Sequence, residues 1–337
     1  MEITGAGRLE VRISPADVGK RVSVRRLTGA SDGAEKFTDT VGVLTSWDGG
    51  VMRVTRRSGE VVAIDASTLV AGKVVPDAPG APARRRGPAA TRAELAAVAA
   101  RAWQPVESEP LGGWRLRAAG GFTRRANSAL ATGDPGVPVA EALAAVRRWY
   151  EARGRTPYVQ LEAESAAEQE RVADAFAAHG WRPEADTEVW TGALAPVADL
   201  AADTAGVRLS RTVDEAWLRR YHRTEQAVGP EQLHVLRSGP STWFATVPDR
   251  AGDGGPTAIG RCVADGRWAG FMAVEVDPAH RRKGLARAVM AALARRALDE
   301  GASAAWLQVE DDNAAARALY TDMGFAAHHA YRYFRPA

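Results

Sequence analysis

Arg281, Arg282, Lys283 and Arg287 surround Gly284 and Ala286 at the point where an apolar run, residues 271–276, passes through Asp277 and Pro278 into a helical pattern. That order of parts is a strand, a loop of exposed backbone N–H groups and a helix N-terminus. There an anion meets unpaired amides and the positive end of the helix dipole. The small residues at 284 and 286 let a phosphate approach the main chain, so a diphosphate is the guest to which this loop is suited. A solvated basic helix start is the competing reading. Neither a G-x-x-x-x-G-K-[ST] nor a G-x-G-x-x-G run is present, which removes the usual nucleoside-triphosphate and dinucleotide fingerprints.

The elements that must position this loop are legible around it. Leu285, Val289 and Leu293 recur at a spacing of four and predict the inward stripe of a helix running to about residue 300, with Arg287, Arg295 and Arg296 free to face water. Gly301 ends it as a left-handed cap. A short strand follows at residues 305–309, then a helix from Asn313 through Tyr320 to Gly324 and Phe325, then a last strand at 330–334.

The combination R-x-x-G-x-A (Arg281, Gly284, Ala286), strand, N-x-x-A-x-x-L-Y-x-x-x-G-F (Asn313 to Phe325) and final strand resembles the GNAT superfamily of acyl-CoA-dependent N-acyltransferases over roughly the last 130 residues. The resemblance implies acetyl-CoA as co-substrate. It implies that Val274 and Val276 lend backbone groups to the pantetheine arm, and that the amides of Arg282, Lys283, Gly284, Leu285, Ala286 and Arg287, with Arg281 beside them, hold the pyrophosphate. It further implies that Asn313 contacts the cofactor and that Tyr320 protonates the departing thiolate. The chemistry agrees with the residue types. Acyl transfer needs a neutral amine, stabilisation of an oxyanion and an acid near sulfur, and a phenol with a pKa of about 10 suits a thiolate of similar or lower basicity.

The general base departs from part of the family. Some members carry a glutamate at the strand position held here by Gln308, and others one near Gly270. Glu275 and Glu310 are the nearby carboxylates that remain, and alternation along the strand puts Glu275 on the face opposite Val274 and Val276. A water chain or an amine already unprotonated would serve equally.

Composition frames the reading. A chain of 337 residues has room for two or three domains, and 46% hydrophobic with 25% charged residues is ordinary for a globular protein. The net charge of +3 does not announce a nucleic-acid binder, although four of the 44 basic residues being lysine gives an arginine-rich surface. The single cysteine, Cys262, excludes an intrachain disulfide and sits in a buried-strand pattern at 258–263. Neither a leader-like apolar segment nor an 18-residue apolar run occurs, so the expected setting is cytoplasmic, with no membrane partner.

Residues 1–75 predict a small all-β barrel of the Src-homology type, with strands at 9–13, 21–25, 40–47, 51–55 and 61–64 and hairpins at Asp48-Gly49-Gly50 and Ser58-Gly59. A Pro/Arg-rich stretch, 76–90, reads as a linker. Residues 91–205 then run parallel to residues 206–337. Thr91 caps a helix with Glu94 at the reciprocal capping-box position, a helix at 141–153 is stopped by Gly154, and a strand at 158–162, a helix at 167–178 and Gly180-Trp181 lead into a strand at 188–190. The first copy lacks the chemistry: Thr132 to Pro138 replaces the basic loop, with two prolines that remove donors, and Phe176 stands where the same count from the following glycine gives Tyr320. The expected architecture is therefore α/β (α+β), a GNAT fold in two tandem copies of which the first is degenerate, behind a barrel. It resembles tandem GNAT proteins of actinobacteria and, more distantly, mycothiol-synthase-type acetyltransferases.

The expected function is transfer of an acetyl group from acetyl-CoA to a primary amine, a small molecule or a peptide, in a ternary complex and without a metal. The acceptor is expected along residues 217–236, which hold Tyr221, His222, Glu225, Glu231 and His234. Nucleic acid is not the expected partner. The alternative is an acyl-CoA-sensing adaptor whose barrel binds protein or nucleic acid.

Overall fold

The computed structural model describes residues 11–28, 36–75, 88–221, 228–249 and 255–337. Five strands, β1 (Arg21–Thr28), β2 (Lys36–Asp48), β3 (Val51–Thr55), β4 (Val61–Asp65) and β5 (Leu69–Val74), form an antiparallel sheet in the order β4-β3-β2-β1-β5. Its apolar interior is Ile13, Val22, Val24, Leu44, Met52, Val54 and Ile64, the alternate residues of each strand. The strand expected at 9–13 is not formed: residues 9 and 10 lie outside the described residues, and Val11 makes only an isolated bridge to Gly72. The edge position is taken by β5, which sequence reading left out because Gly72 and Lys73 weaken its pattern.

The remaining strands form one sheet of eleven. The first copy contributes α1 (Arg92–Ala102), β6 (Glu107–Leu111), β7 (Trp114–Ala118), β8 (Ala129–Ala131), α2 (Val139–Glu151), β9 (Val159–Leu161), α3 (Ala166–Ala178) and β10 (Trp181–Ala193). After α4 (Leu194–Ala198) the second contributes β11 (Arg208–Ser210), α5 (Glu215–Arg220), α6 (Pro230–Arg237), β12 (Ser241–Val247), β13 (Ala258–Asp265), β14 (Trp268–Val276), α7 (Leu285–Asp299), β15 (Ala304–Glu310), α8 (Ala314–Asp322) and β16 (Ala326–Pro336). The strand order is β11-β12-β13-β14-β15-β10-β16-β9-β8-β7-β6. Only β14 with β15 and β8 with β9 run parallel.

Apart from the extra edge strand β11, this order is symmetric about the β10–β16 pair, and it exchanges the last strands of the two copies. β10 pairs with β15 of the second copy over residues 187–193, and β16 pairs with β9 of the first over 332–334. One face of the second copy packs against α4, α7 and α8 through Val289, Leu293, Phe271, Leu307 and Trp190. The other face packs against α1, α5 and α6 through Leu95, Trp217, Leu236, Met272, Trp306 and Tyr331. On that second face Arg261 is fully buried and donates to the carbonyls of Ala102 (2.8 Å) and Leu236 (2.7 Å), so a β13 side chain fixes the C-terminal ends of α1 and α6.

Local signals account for most boundaries. Thr91 Oγ1 accepts the Glu94 amide (3.0 Å), and Gly154, Gly180, Gly301 and Gly324 stop elements at positive φ. The reciprocal half of the capping box is not made: the Glu94 carboxylate accepts from Trp268 Nε1 (2.7 Å) and Arg267 Nη2 (2.8 Å), tying α1 to β14. Arg295, expected in water, is half-buried and donates to Ala198 O and Thr204 Oγ1, because α4 lies along α7. The linker stretch at 76–87 lies outside the described residues, while Ala89 and Ala90 accept hydrogen bonds from Arg267 and His328. The barrel docks on the junction of the copies through Asp199, which accepts from Arg21 Nη2 (3.0 Å) and the Arg57 amide (3.2 Å).

Candidate acyltransferase site

The site begins where two parallel strands part. β14 and β15 pair only from Trp268↔Ala304 to Phe271↔Leu307, although β14 continues to Val276 and β15 to Glu310. The separation follows a bulge. Ile259 faces Glu275 and Arg261 faces Met272, so Ala273 and Val274 together oppose Gly260, and Ala273 adopts φ 51°. A Cβ at Gly260 would lie 2.4 Å from Val289 Cγ1, so glycine is needed there for α7 to sit against the bulged strand. Beyond the bulge, Val274 and Val276 pack towards α7, and Glu275, paired with the buried Ile259, belongs to the opposite face.

The basic loop stands at the mouth of this opening. Arg281, Arg282, Lys283 and Gly284 are exposed, and Leu285, Ala286 and Arg287 make the first turn of α7. Gly284 is the helix N-cap at φ 80°, and Arg282 also lies in the left-handed region at φ 61°. Two left-handed residues around Lys283 turn successive amides towards one side, the main-chain arrangement that cradles anions. Asp277 anchors the start of the loop: it accepts the Ala279 amide (2.8 Å) and forms an ion pair with Arg220 of α5. The Ala279 amide bond and Arg220 hold its carboxyl below the usual range.

Tyr320 and Asn313 both belong to α8, on the α7 side of the sheet. Tyr320 is half-buried, packs with the core of that face and meets the Phe325 ring at 6.0 Å. Asn313 caps α8, its Oδ1 accepting the Ala316 amide (3.1 Å). The first turn of α8 is held by the first copy's strand, since Arg317 pairs with Glu188 of β10 (3.3 Å) as well as Asp311 (2.9 Å).

On the opposite face, Gln308 and Glu310 follow Trp306 in alternation, so both share the face of Glu275. Gln308 Oε1 is buried, with no hydrogen-bond partner among the described residues. Gly270 leaves no room for the carboxylate other members carry near it, because a Cβ there would meet the Trp306 ring at 2.4 Å. Glu310 is exposed and pairs with Arg124 at 3.5 Å. It borders a cavity of about 190 Å³ lined by Arg124, Arg125, Thr187, Tyr331 and Tyr333, which sequence reading did not single out. The adjacent arginines were the one available signal.

Other expectations fall elsewhere. Trp217 and Tyr221 are buried core residues of the α5 face; His222 and Glu225 lie outside the described residues; Glu231 is exposed and His234 Nε2 contacts Pro105 O at 3.2 Å. Cys262 is buried in β13, and burial pushes its thiol well above the ordinary range. A wider cavity of about 750 Å³ between the barrel and the second copy is lined by Arg25, Arg211, Arg267 and Arg296. These are engaged with Asp39, Glu94 and Glu300, so it is a seam of ion pairs remote from the splayed strands. Among the described residues no group of three or more potential metal ligands occurs, and no helix is long and apolar enough to cross a membrane.

Comparison with known families decides the grouping. Residues 89–334 match the family described as "Probable histone acetyltransferase Rv0428c C-terminal", and residues 16–73 match the "Rv0428c N-terminal Sm-like domain". The chain belongs to the Rv0428c family. The Sm-like domain stands in front of the transferase portion, which gives the expected small β-barrel its family description. The probable histone acetyltransferase Rv0428c of Mycobacterium tuberculosis is 28% identical over 95% of this chain and 96% of its own length. Among solved structures, a GCN5-related N-acetyltransferase from Kribbella flavida aligns with a TM-score of 0.50 and 18% identity over 73% of this chain and 95% of its own. A tandem GNAT protein from the clavulanic acid biosynthesis pathway aligns with 0.50 and 17% over 74% and 88%. The chain therefore has the GNAT fold in its tandem form.

Proposed function

We propose that the second copy binds acetyl-CoA across the parted ends of β14 and β15 and transfers the acetyl group to a primary amine arriving from the α1/α5 face. The observation that carries this reading is the parting itself, opened by the Ala273 bulge directly beside the left-handed loop at the start of α7. Loop amides at 282–287 hold the pyrophosphate, with charge from Arg281, Arg282 and Lys283. Free backbone groups of Val274 and Val276 take the pantetheine arm as an added strand would, and Asn313 lies at the edge of this path.

In the transfer, the amine nitrogen forms a bond to the thioester carbonyl carbon while the carbon–sulfur bond breaks and its electron pair goes to sulfur. Tyr320 donates its phenolic proton to that sulfur. The proton shed by the amine is taken by Glu275 or Glu310, directly or through water, and returns to Tyr320 from solvent. Neither carboxylate needs a metal for this role, and a cytoplasmic setting agrees with the single buried thiol.

Incubation with acetyl-CoA and a panel of primary amines, with release of coenzyme A followed and products read by mass spectrometry, tests the reading. Acetylated amine formed in step with coenzyme A release is the expected result. No turnover with any amine, or hydrolysis alone, would contradict it.

A further inference from the structure

The cavity beside Glu310 contains a cation that forms no ion pair among the described residues. Its walls come from both copies: Arg124 and Arg125 from the short turn after β7, Thr187 from β10, Glu310 from β15, and Tyr331 and Tyr333 from β16. The two neighbouring arginines are treated differently by their surroundings. Arg124 lies near Glu184 (3.8 Å) and Glu310 (3.5 Å) and over the Tyr333 ring. Arg125 forms no ion pair among the described residues; its guanidinium carbon lies 5.8 Å from the Trp103 ring, and its Nε is buried without an acceptor. Tyr331 is fully buried, and its hydroxyl has no hydrogen-bond partner among the described residues.

Arg125 is partly buried, and its Nε, shut off from water and without an acceptor among the described residues, costs free energy unless a guest supplies one. It shares the cavity with the Tyr331 hydroxyl, which lies close to it, so the two groups can converge on one acceptor. The planar fork of arginine matches the paired oxygens of a carboxylate or phosphate. Across the same cavity Glu310 offers the opposite charge, and it sits at the end of β15, the strand that borders the proposed transfer site.

We propose that this cavity binds the oxyanion of the acceptor, so that the substrates are small primary amines bearing a carboxylate or a phosphate monoester. Arg125 and Tyr331 hold the anion while the amine end lies towards Glu310. The catalytically silent copy thereby supplies the specificity of the active one. This inference rests on the transfer reading above and names its substrate class.

The test uses matched amines: butylamine against 4-aminobutyrate, and ethanolamine against phosphoethanolamine. kcat/KM for acetyl transfer is measured with the full chain and with Arg125→Gln and Tyr331→Phe. Binding of the two anionic amines without acetyl-CoA is measured by calorimetry. The full chain should favour an anionic amine over its neutral match by about tenfold or more, mostly through KM. Arg125→Gln should bring that ratio close to one, and Tyr331→Phe, which removes a single oxygen, should lower it severalfold. Thermal unfolding of both variants checks that they fold, and the isosteric Tyr331→Phe serves if Arg125→Gln does not. Whether 4-aminobutyrate or phosphoethanolamine is preferred distinguishes a carboxylate from a phosphate guest.

Equal use of charged and neutral amines overturns the inference while leaving acetyl transfer standing; so does a preference that survives both substitutions. Failure of both anionic amines to bind the full chain also overturns it. Anion binding that is lost in Arg125→Gln, without acetylation of any amine, upholds the anion site and removes the transfer reading instead.

Discussion

Two helices that occupy equivalent places in the sheet begin in opposite ways. α7 starts from Gly284 at φ 80°, with an exposed basic loop before it and a bulged strand leading in. α2 starts from Pro138, and the preceding loop is folded down onto the β6–β7 turn, where Asp134 O accepts the Gly113 amide (2.6 Å). A Cβ on Gly112 would lie 2.1 Å from Pro135 O, so that loop is packed shut against the turn. The strands differ in the same sense. β14 runs past its parallel partner, whereas β8 and β9 pair along all three residues and never part. Phe176, counterpart of Tyr320, is buried edge-on to Trp114 and Phe334. The same architecture can thus leave an open cleft or a solid wall, and what separates the two is the space left at one helix N-terminus.

The largest effect should come from separating the copies. A fragment of residues 206–337 lacks β10, so β15 and β16 lose the strand that joins them and expose unpaired edges. It is expected to be insoluble or unfolded by circular dichroism, and a folded, soluble fragment would break the claim that the exchange makes the copies interdependent. Next, Tyr320→Phe should lower turnover by roughly 100-fold or more while leaving acetyl-CoA affinity within about twofold. Its mirror, Phe176→Tyr, should gain no activity and should lose about 1–3 kcal/mol of stability by burying a hydroxyl in an apolar cluster. Titration calorimetry sharpens the contrast further: one acetyl-CoA per chain is expected, and two would restore the first copy to function.

Gly260→Ala tests the packing that opens the strands. The added methyl meets Val289, so a loss of about 1–3 kcal/mol in thermal or denaturant unfolding is expected, together with weaker acetyl-CoA binding. The smallest effect concerns Glu94, which joins α1 to the second copy. Burial would raise its pKa, but bonds from Trp268 and Arg267 outweigh this and the carboxyl lies below its ordinary value. A lowered carboxyl pKa stabilises the fold above the ordinary range of about pH 4–5, and that contribution fades as pH falls through the lowered value. Glu94→Gln should therefore narrow the gap in unfolding midpoint between neutral and acidic pH by a small amount; an unchanged gap would place no weight on this link.

Much of this was written in neighbouring residues. The order of strand, basic loop, helix, strand and helix from 271 to 325 gave the elements around the proposed site, and Gly154, Gly180, Gly301 and Gly324 marked where elements stop, because dihedral preferences and periodicity act over a few positions. The closed loop of the first copy was legible too, from two prolines, as was the phenylalanine that stands in place of Tyr320. The partner of each strand was not. Alternation states which side chains share a face but not which strand lies alongside, so the exchange of β10 and β16 emerged only when the sheet closed. For the same reason Arg125 and Tyr331, about 200 positions apart, carried no joint signal: the two meet in one cavity only when distant segments pack together, and that juxtaposition belongs to the tertiary structure alone.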